Sequence, residues 1–128
     1  MLDYARQRAI EVLKVPRRAV LATSGPAGVQ VSEFPCEALE LELYLLVPQT
    51  SDHLFNLENV STVSLLTDIW DLKGEAQILF PNSTNLKLDM VREPEAQWSV
   101  LVRVHPFKLQ IRKAAGGGNL ETIDIQSY

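Results

Sequence analysis

The strongest constraint on this chain is a succession of short apolar runs that alternate with period two and are separated by turn residues. In Glu40–Val47, Leu41, Leu43, Leu45 and Val47 alternate with Glu40, Glu42, Tyr44 and Leu46, the pattern of a strand with two distinct faces. Ala19–Thr23 reads as a buried strand. The turn SGPAG (Ser24–Gly28) joins it as a hairpin to Val29–Phe34, where Val29 and Val31 face one way and Gln30 and Ser32 the other. Ser61–Asp68 and Gly74–Phe80 supply two more strands. Val100, Val102 and Val104 line another, and Phe107, Leu109 and Ile111 follow after a break at His105–Pro106. Ile123 and Ile125 mark a short terminal strand.

Helices are few. Asp3 can cap one whose Ala5, Ala9, Val12 and Leu13 share a face, and Pro16 ends it. Residues 81–84 form a turn and residues 114–119 a loop. Asn85–Arg92 fits a helix or a strand by pattern, and we read it as helix. Seven or eight short strands without an internal repeat favour a mainly β fold, a small antiparallel barrel, over a parallel α/β sheet. The organisation is one domain over residues 1–128. A helix occupies 1–15, the barrel core 19–113, and a loop with a short terminal strand 114–128.

A 128-residue chain is long enough for one core without staples. Its net charge of −4 argues against a general nucleic-acid surface, which needs concentrated Lys and Arg. The single Cys36 excludes an internal disulfide and a cysteine-rich metal site, and it reads as a packing residue. The two His, 53 and 105, lack metal-ligand spacing. The start MLDYARQRAIEVLK lacks the apolar run of a signal peptide, and no apolar run approaches the ~20 residues of a membrane span. The expectation is a soluble, cytoplasmic domain.

The stretch Leu43–Leu66 carries the chemistry. A strand runs into the turn Pro48-Gln49-Thr50-Ser51, which opens a helix from Ser51 to about Glu58 bearing His53 and Asn56. A helix N-terminus offers unpaired N–H groups and a positive dipole end, so it favours an anion such as phosphate. Ser51 is equally well placed as the helix cap, and His53 as a solvated surface residue. Asn56 faces the protein and fixes the helix. Gly74 suits a bulge or a close backbone approach.

In order and spacing, AVLATSGPAGVQVSEF (Ala19–Phe34), LYLLVPQTSDHLFNLENVSTVSLLTD (Leu43–Asp68), WDLKGEAQIL (Trp70–Leu79) and RVHPFKLQI (Arg103–Ile111) resemble the flavin-binding split-barrel family typified by pyridoxamine 5′-phosphate oxidase. The resemblance implies a six-stranded split barrel that pairs into a homodimer, with flavin mononucleotide in clefts between subunits. It further implies a flavin-dependent oxidoreductase acting on a small substrate, with deazaflavin, haem or a non-catalytic dimeric module as alternatives. It places Gln30 and Ser32 near the phosphate or ring, Val47, Pro48 and Gln49 alongside the ring, and Thr50, Ser51 and His53 on the phosphate. Residues near Trp70 would reach in from the partner. Where the oxidase carries Arg and Lys on the second strand and at the helix start, this chain has Gln30, Ser32 and His53. The apolar residues on both faces of Leu43–Val47 supply a second, independent argument for a dimer.

Overall fold

The computed structural model describes residues 3–79, 87–112 and 120–125. Its elements are α1 (Asp3–Leu13), β1 (Arg18–Thr23), β2 (Gln30–Leu39), β3 (Glu42–Pro48), α2 (Asp52–Asn59), β4 (Thr62–Leu66), β5 (Trp70–Leu79), β6 (Ser99–Arg112) and β7 (Leu120–Asp124). The strands lie in the order β3-β2-β1-β4-β5-β6-β7, all described pairings are antiparallel, and β3 also pairs with β6. That last pairing closes six strands into a barrel: the antiparallel barrel the alternating runs imply, with the strand number the resemblance implies.

The inward residues of this alternation make the core. Leu21, Leu43, Leu45, Val47, Leu65, Val102, Val104 and Leu109 are fully excluded from water. Burial of this apolar surface is the main favourable term in folding. Helix α1 packs Ala9, Val12 and Leu13 into the same cluster. Trp70 is joined to it, with its indole N–H on the Val12 carbonyl at 3.2 Å. Among the described residues no helix is long and apolar enough to cross a membrane.

β3 and β4 shift by one or two residues from expectation, to Glu42–Pro48 and Thr62–Leu66, and three other strands differ more. β2 continues through Cys36 to Leu39, and β5 begins at Trp70 rather than Gly74. β6 runs unbroken through His105–Pro106 for 14 residues. Pro106 is tolerated because it lies where β6 changes partners: β3 pairs as far as Val104, and β7 joins at Lys108. The missing N–H therefore falls in the gap. On the other side Pro106 faces Gly74 at a register shift after Lys73. A Cβ on Gly74 would stand 2.6 Å from the His105 carbonyl oxygen, so only glycine admits this approach.

The helix read over Asn85–Arg92 is a single 3-10 turn, Asp89–Arg92, followed by a second at Pro94–Trp98. Residues 81–86 and the loop at 114–119 lie outside the described residues. The 3-10 pair forms a strap. Leu88 and Met90 pack on Tyr44, Leu46, Leu79 and Leu101, the outward side of the β3–β6 seam. Glu37 anchors it, its carboxylate accepting the N–H groups of Asp89 at 2.9 Å and Met90 at 3.0 Å. The second apolar face of β3 is thus covered by this chain itself. The argument for a dimer from that face does not stand.

Candidate functional site

The turn after β3 and the start of α2 form one corner. Ser51 N–H closes the turn on the Pro48 carbonyl at 3.0 Å, and Ser51 Oγ caps α2 by accepting the His53 N–H at 3.2 Å. Pro48, Gln49, Thr50 and Asp52 are exposed, and Ser51 is half-buried. The Gln49 N–H donates to the Trp98 carbonyl at 2.9 Å, which fixes the turn against the end of the strap. Trp98 itself is 69% exposed. Val47 is buried in the core behind it.

Beneath the corner the polar residues bond to one another. His53 is only 2% exposed. Its Nδ1 is 2.8 Å from Thr23 Oγ1, and Phe34 meets its ring edge-on at 5.3 Å. Asn56 is fully buried. Its Oδ1 accepts the Ala27 N–H at 2.9 Å, and its Nδ2 donates to the Gly28 carbonyl at 2.8 Å and to Thr23 Oγ1 at 3.1 Å. Thr23 Oγ1 accepts from Asn56 and keeps one hydrogen and one lone pair, either of which can meet His53 Nδ1, so the direction of that bond follows the imidazole tautomer. The His53 Nε2 is buried without a partner. Burial lowers the His53 pKa from its ordinary 6.5, and the neighbouring Asp52 opposes this.

Helix α2 is thereby tied to the β1–β2 hairpin. The fit is close enough that a Cβ on Gly25 would lie 2.9 Å from Asn56 Oδ1. Gln30 also serves this turn, donating to the Ala27 carbonyl at 2.9 Å. Gln30 and Ser32 are half-buried, while Val29 and Val31 face outward at 75% and 61% exposure. The apolar side of this strand end looks to solvent.

The corner therefore gathers Pro48, Gln49, Thr50 and Ser51 at the surface and sets His53 beneath them. Gln30 joins the supporting turn, and Ser32 lies on β2 without a described hydrogen bond to the corner. Trp70 is elsewhere, fully buried against α1. Trp98 is the residue that sequence reasoning missed. Its place beside the turn follows from Ser99 pairing with Pro48, a long-range register that no local pattern reveals. Electrostatically the corner is weak. Pro48–Asn59 contains no Lys or Arg, and Asp52 sets a carboxylate at the positive end of α2. Among the described residues no group of three or more His, Cys, Asp or Glu is placed to hold a metal.

No family model and no curated protein matches the sequence. Solved structures do match the fold. One is a protein related to general stress protein 26 of B. subtilis, of the pyridoxinephosphate oxidase family, from Clostridium acetobutylicum. It is 12% identical with TM-score 0.73, over 99% of both chains. Another is a putative pyridoxamine 5′-phosphate oxidase from Listeria innocua, 13% identical with TM-score 0.63, over 83% of this chain and 96% of that one. A third is a heme binding protein from Mycobacterium smegmatis, 15% identical with TM-score 0.62, over all of this chain and 60% of that one. With its closed six-stranded barrel, the chain has the split-barrel fold of the pyridoxamine 5′-phosphate oxidase-like proteins.

Proposed function

We propose that this chain is the protomer of a homodimeric flavin-binding split barrel that acts as an oxidoreductase on a small molecule. The observation that carries the reading is the solvent-open lip Pro48–Thr50 with Trp98 exposed beside it, a place where a planar ring gains apolar contact next to the Thr50 N–H. The outward Val29 and Val31 offer the surface a second copy would cover. Two structural neighbours are described as a pyridoxinephosphate oxidase family protein and a putative pyridoxamine 5′-phosphate oxidase, which supports oxidoreductase chemistry on a small molecule.

The corner fits the ring of flavin mononucleotide better than its phosphate. A dianion there meets the Thr50 and Ser51 hydroxyls and the Asp52 N–H, with the Asp52 carboxylate nearby and no cation. Such a grip is weaker than a bidentate Arg provides. When bound, the flavin would supply the hydride or electron transfer. The chain's own residues hold the lip. Asn56 and His53 fix α2 under it, Trp98 flanks it, and the backbone there is oriented before any ligand arrives. For haem, His105 is half-exposed but sits in an acidic row. Its Nδ1 lies 2.7 Å from Glu42, and Glu75 is its register partner. Those carboxylates disfavour an anionic porphyrin.

The test is a titration of the purified protein with riboflavin and with flavin mononucleotide, followed by flavin fluorescence and by melting temperature. Quenching and stabilisation by both, with little advantage for the phosphorylated form, are expected. The absence of either effect at saturating concentrations of both flavins overturns the reading.

A further inference from the structure

The outer face of the barrel carries a second cluster of polar side chains, distinct from the Pro48–Thr50 corner. Register places Lys73 of β5 directly opposite Lys108 of β6, and Ser64 of β4 opposite Lys73. Side chains directly opposite on neighbouring strands share a face, and like charges so placed repel. Neither lysine has an ion pair or hydrogen bond among the described residues. The paired cations there are Arg6, Arg8, Arg18, Arg112 and, when protonated, His105. Two carboxylates flank Lys73 on the same face of β5: Asp71 is held by Arg112, and Glu75 accepts from the Ser61 and Thr62 hydroxyls. Asp124, the register partner of Lys108 on β7, is itself engaged.

The two lysines line a cleft of ≈ 210 Å³ together with Ser64, Asp71 and Gln110. Ser64 and Lys73 also border a second hollow of ≈ 340 Å³, whose other walls include Ala22, Val29 and Val60. A cationic pair with a hydroxyl and an amide at its edge thus adjoins an apolar trough. Two opposed ammonium groups are stabilised together by one oxyanion placed between them, and the trough suits an apolar body attached to that anion.

We propose that Lys73 and Lys108, with Ser64 and Gln110 at the rim, form a subsite for the phosphate group of an organic phosphomonoester whose apolar part lies along Ala22, Val60 and Val63. The proposal stands apart from flavin binding at the Pro48–Thr50 lip, and its test uses inorganic phosphate as the probe.

The experiment follows melting temperature against phosphate concentration, with potassium chloride at matched ionic strength as reference. Phosphate should stabilise the protein beyond chloride. Lys73→Gln and Lys108→Gln should each weaken the apparent affinity about tenfold, the loss of one charge-assisted hydrogen bond, and the double variant should abolish the response. Lys14→Gln, away from the cleft, should leave it unchanged. Without phosphate the cleft variants should melt no lower than the original protein, since cross-strand repulsion is relieved, so misfolding does not mask the result. A phosphate response equal to that of chloride, or one retained in the double variant, overturns the proposal. Absence of flavin binding leaves this readout unaffected.

Discussion

Replacing Asn56 with Ala should be among the most damaging single changes in the chain. Its amide makes three hydrogen bonds, to Ala27 N–H, the Gly28 carbonyl and Thr23 Oγ1. Each is worth about 1 kcal/mol net in a folded protein. Ala27 is half-buried and Gly28 exposed, so water can replace those two partners in part. Thr23 is buried, and its hydroxyl would lose an enclosed donor that water cannot easily replace. A small cavity adds to the cost. The expected loss is about 3 kcal/mol, which for a domain of this size lowers the melting temperature by roughly 10 °C. Urea denaturation of Asn56→Ala against Asn59→Ala gives the measurement. Asn59 is exposed and donates only to the Phe55 carbonyl at 3.0 Å, so its loss should stay below about 0.5 kcal/mol. If the two variants unfold at the same denaturant concentration, the brace between α2 and the hairpin is not what holds this corner.

Three further outcomes follow from the same geometry. Gly74→Ala should destabilise by roughly 2–3 kcal/mol, because the new methyl meets the His105 carbonyl and Val104; thermal unfolding of the variant checks this. His53 has a folded-state pKa below its ordinary 6.5, so it contributes full stability above that value and loses it as pH falls below 6.5. Denaturation between pH 8 and 5 should therefore show a slope of at most about 1.4 kcal/mol per pH unit that disappears in His53→Gln. Glu37→Ala should release the strap, raising limited proteolysis within residues 87–98 while the barrel stays folded, since two N–H groups lose their acceptor.

Much of the barrel was legible because period two is a local signal. Glu42–Pro48 alternates so clearly that its faces follow from the residues alone, and Ser51 as a helix cap is likewise a short-range pattern. The limits of β5 and β6 were not legible. Trp70 and Asp71 join a strand because β6 is there to pair with them, and Pro106 survives mid-strand only because its N–H falls where β3 has ended and β7 has not begun. The outward Tyr44 and Leu46 suggested a partner chain, yet a strap from some 45 residues downstream covers them, roughly the separation of Tyr44 from Leu88 and Met90. Contacts between residues so far apart leave no trace in a local pattern.

The candidate site shows how hydrogen-bonding capacity decides which polar residues remain available. Sequence order brings Gln30, Ser51, His53 and Asn56 to one corner, and by residue type each could meet a phosphate. In the fold, Gln30 donates to Ala27, Ser51 accepts from the helix, and Asn56 uses both ends of its amide. His53 keeps one unpartnered nitrogen, but it lies inside. A buried donor already bonded to protein cannot be offered to a ligand without leaving its first partner unsatisfied, which costs about 1–3 kcal/mol. These side chains therefore hold the loop in shape, and on the proposed readings contact with a ligand would fall to other groups: the Thr50 backbone N–H, the Thr50 and Ser51 hydroxyls, Trp98, and the opposed lysines on the far strands. On that account Asn56→Ala and the two lysine substitutions should act independently, the first on stability and the second on phosphate affinity, because they share no bonding partner.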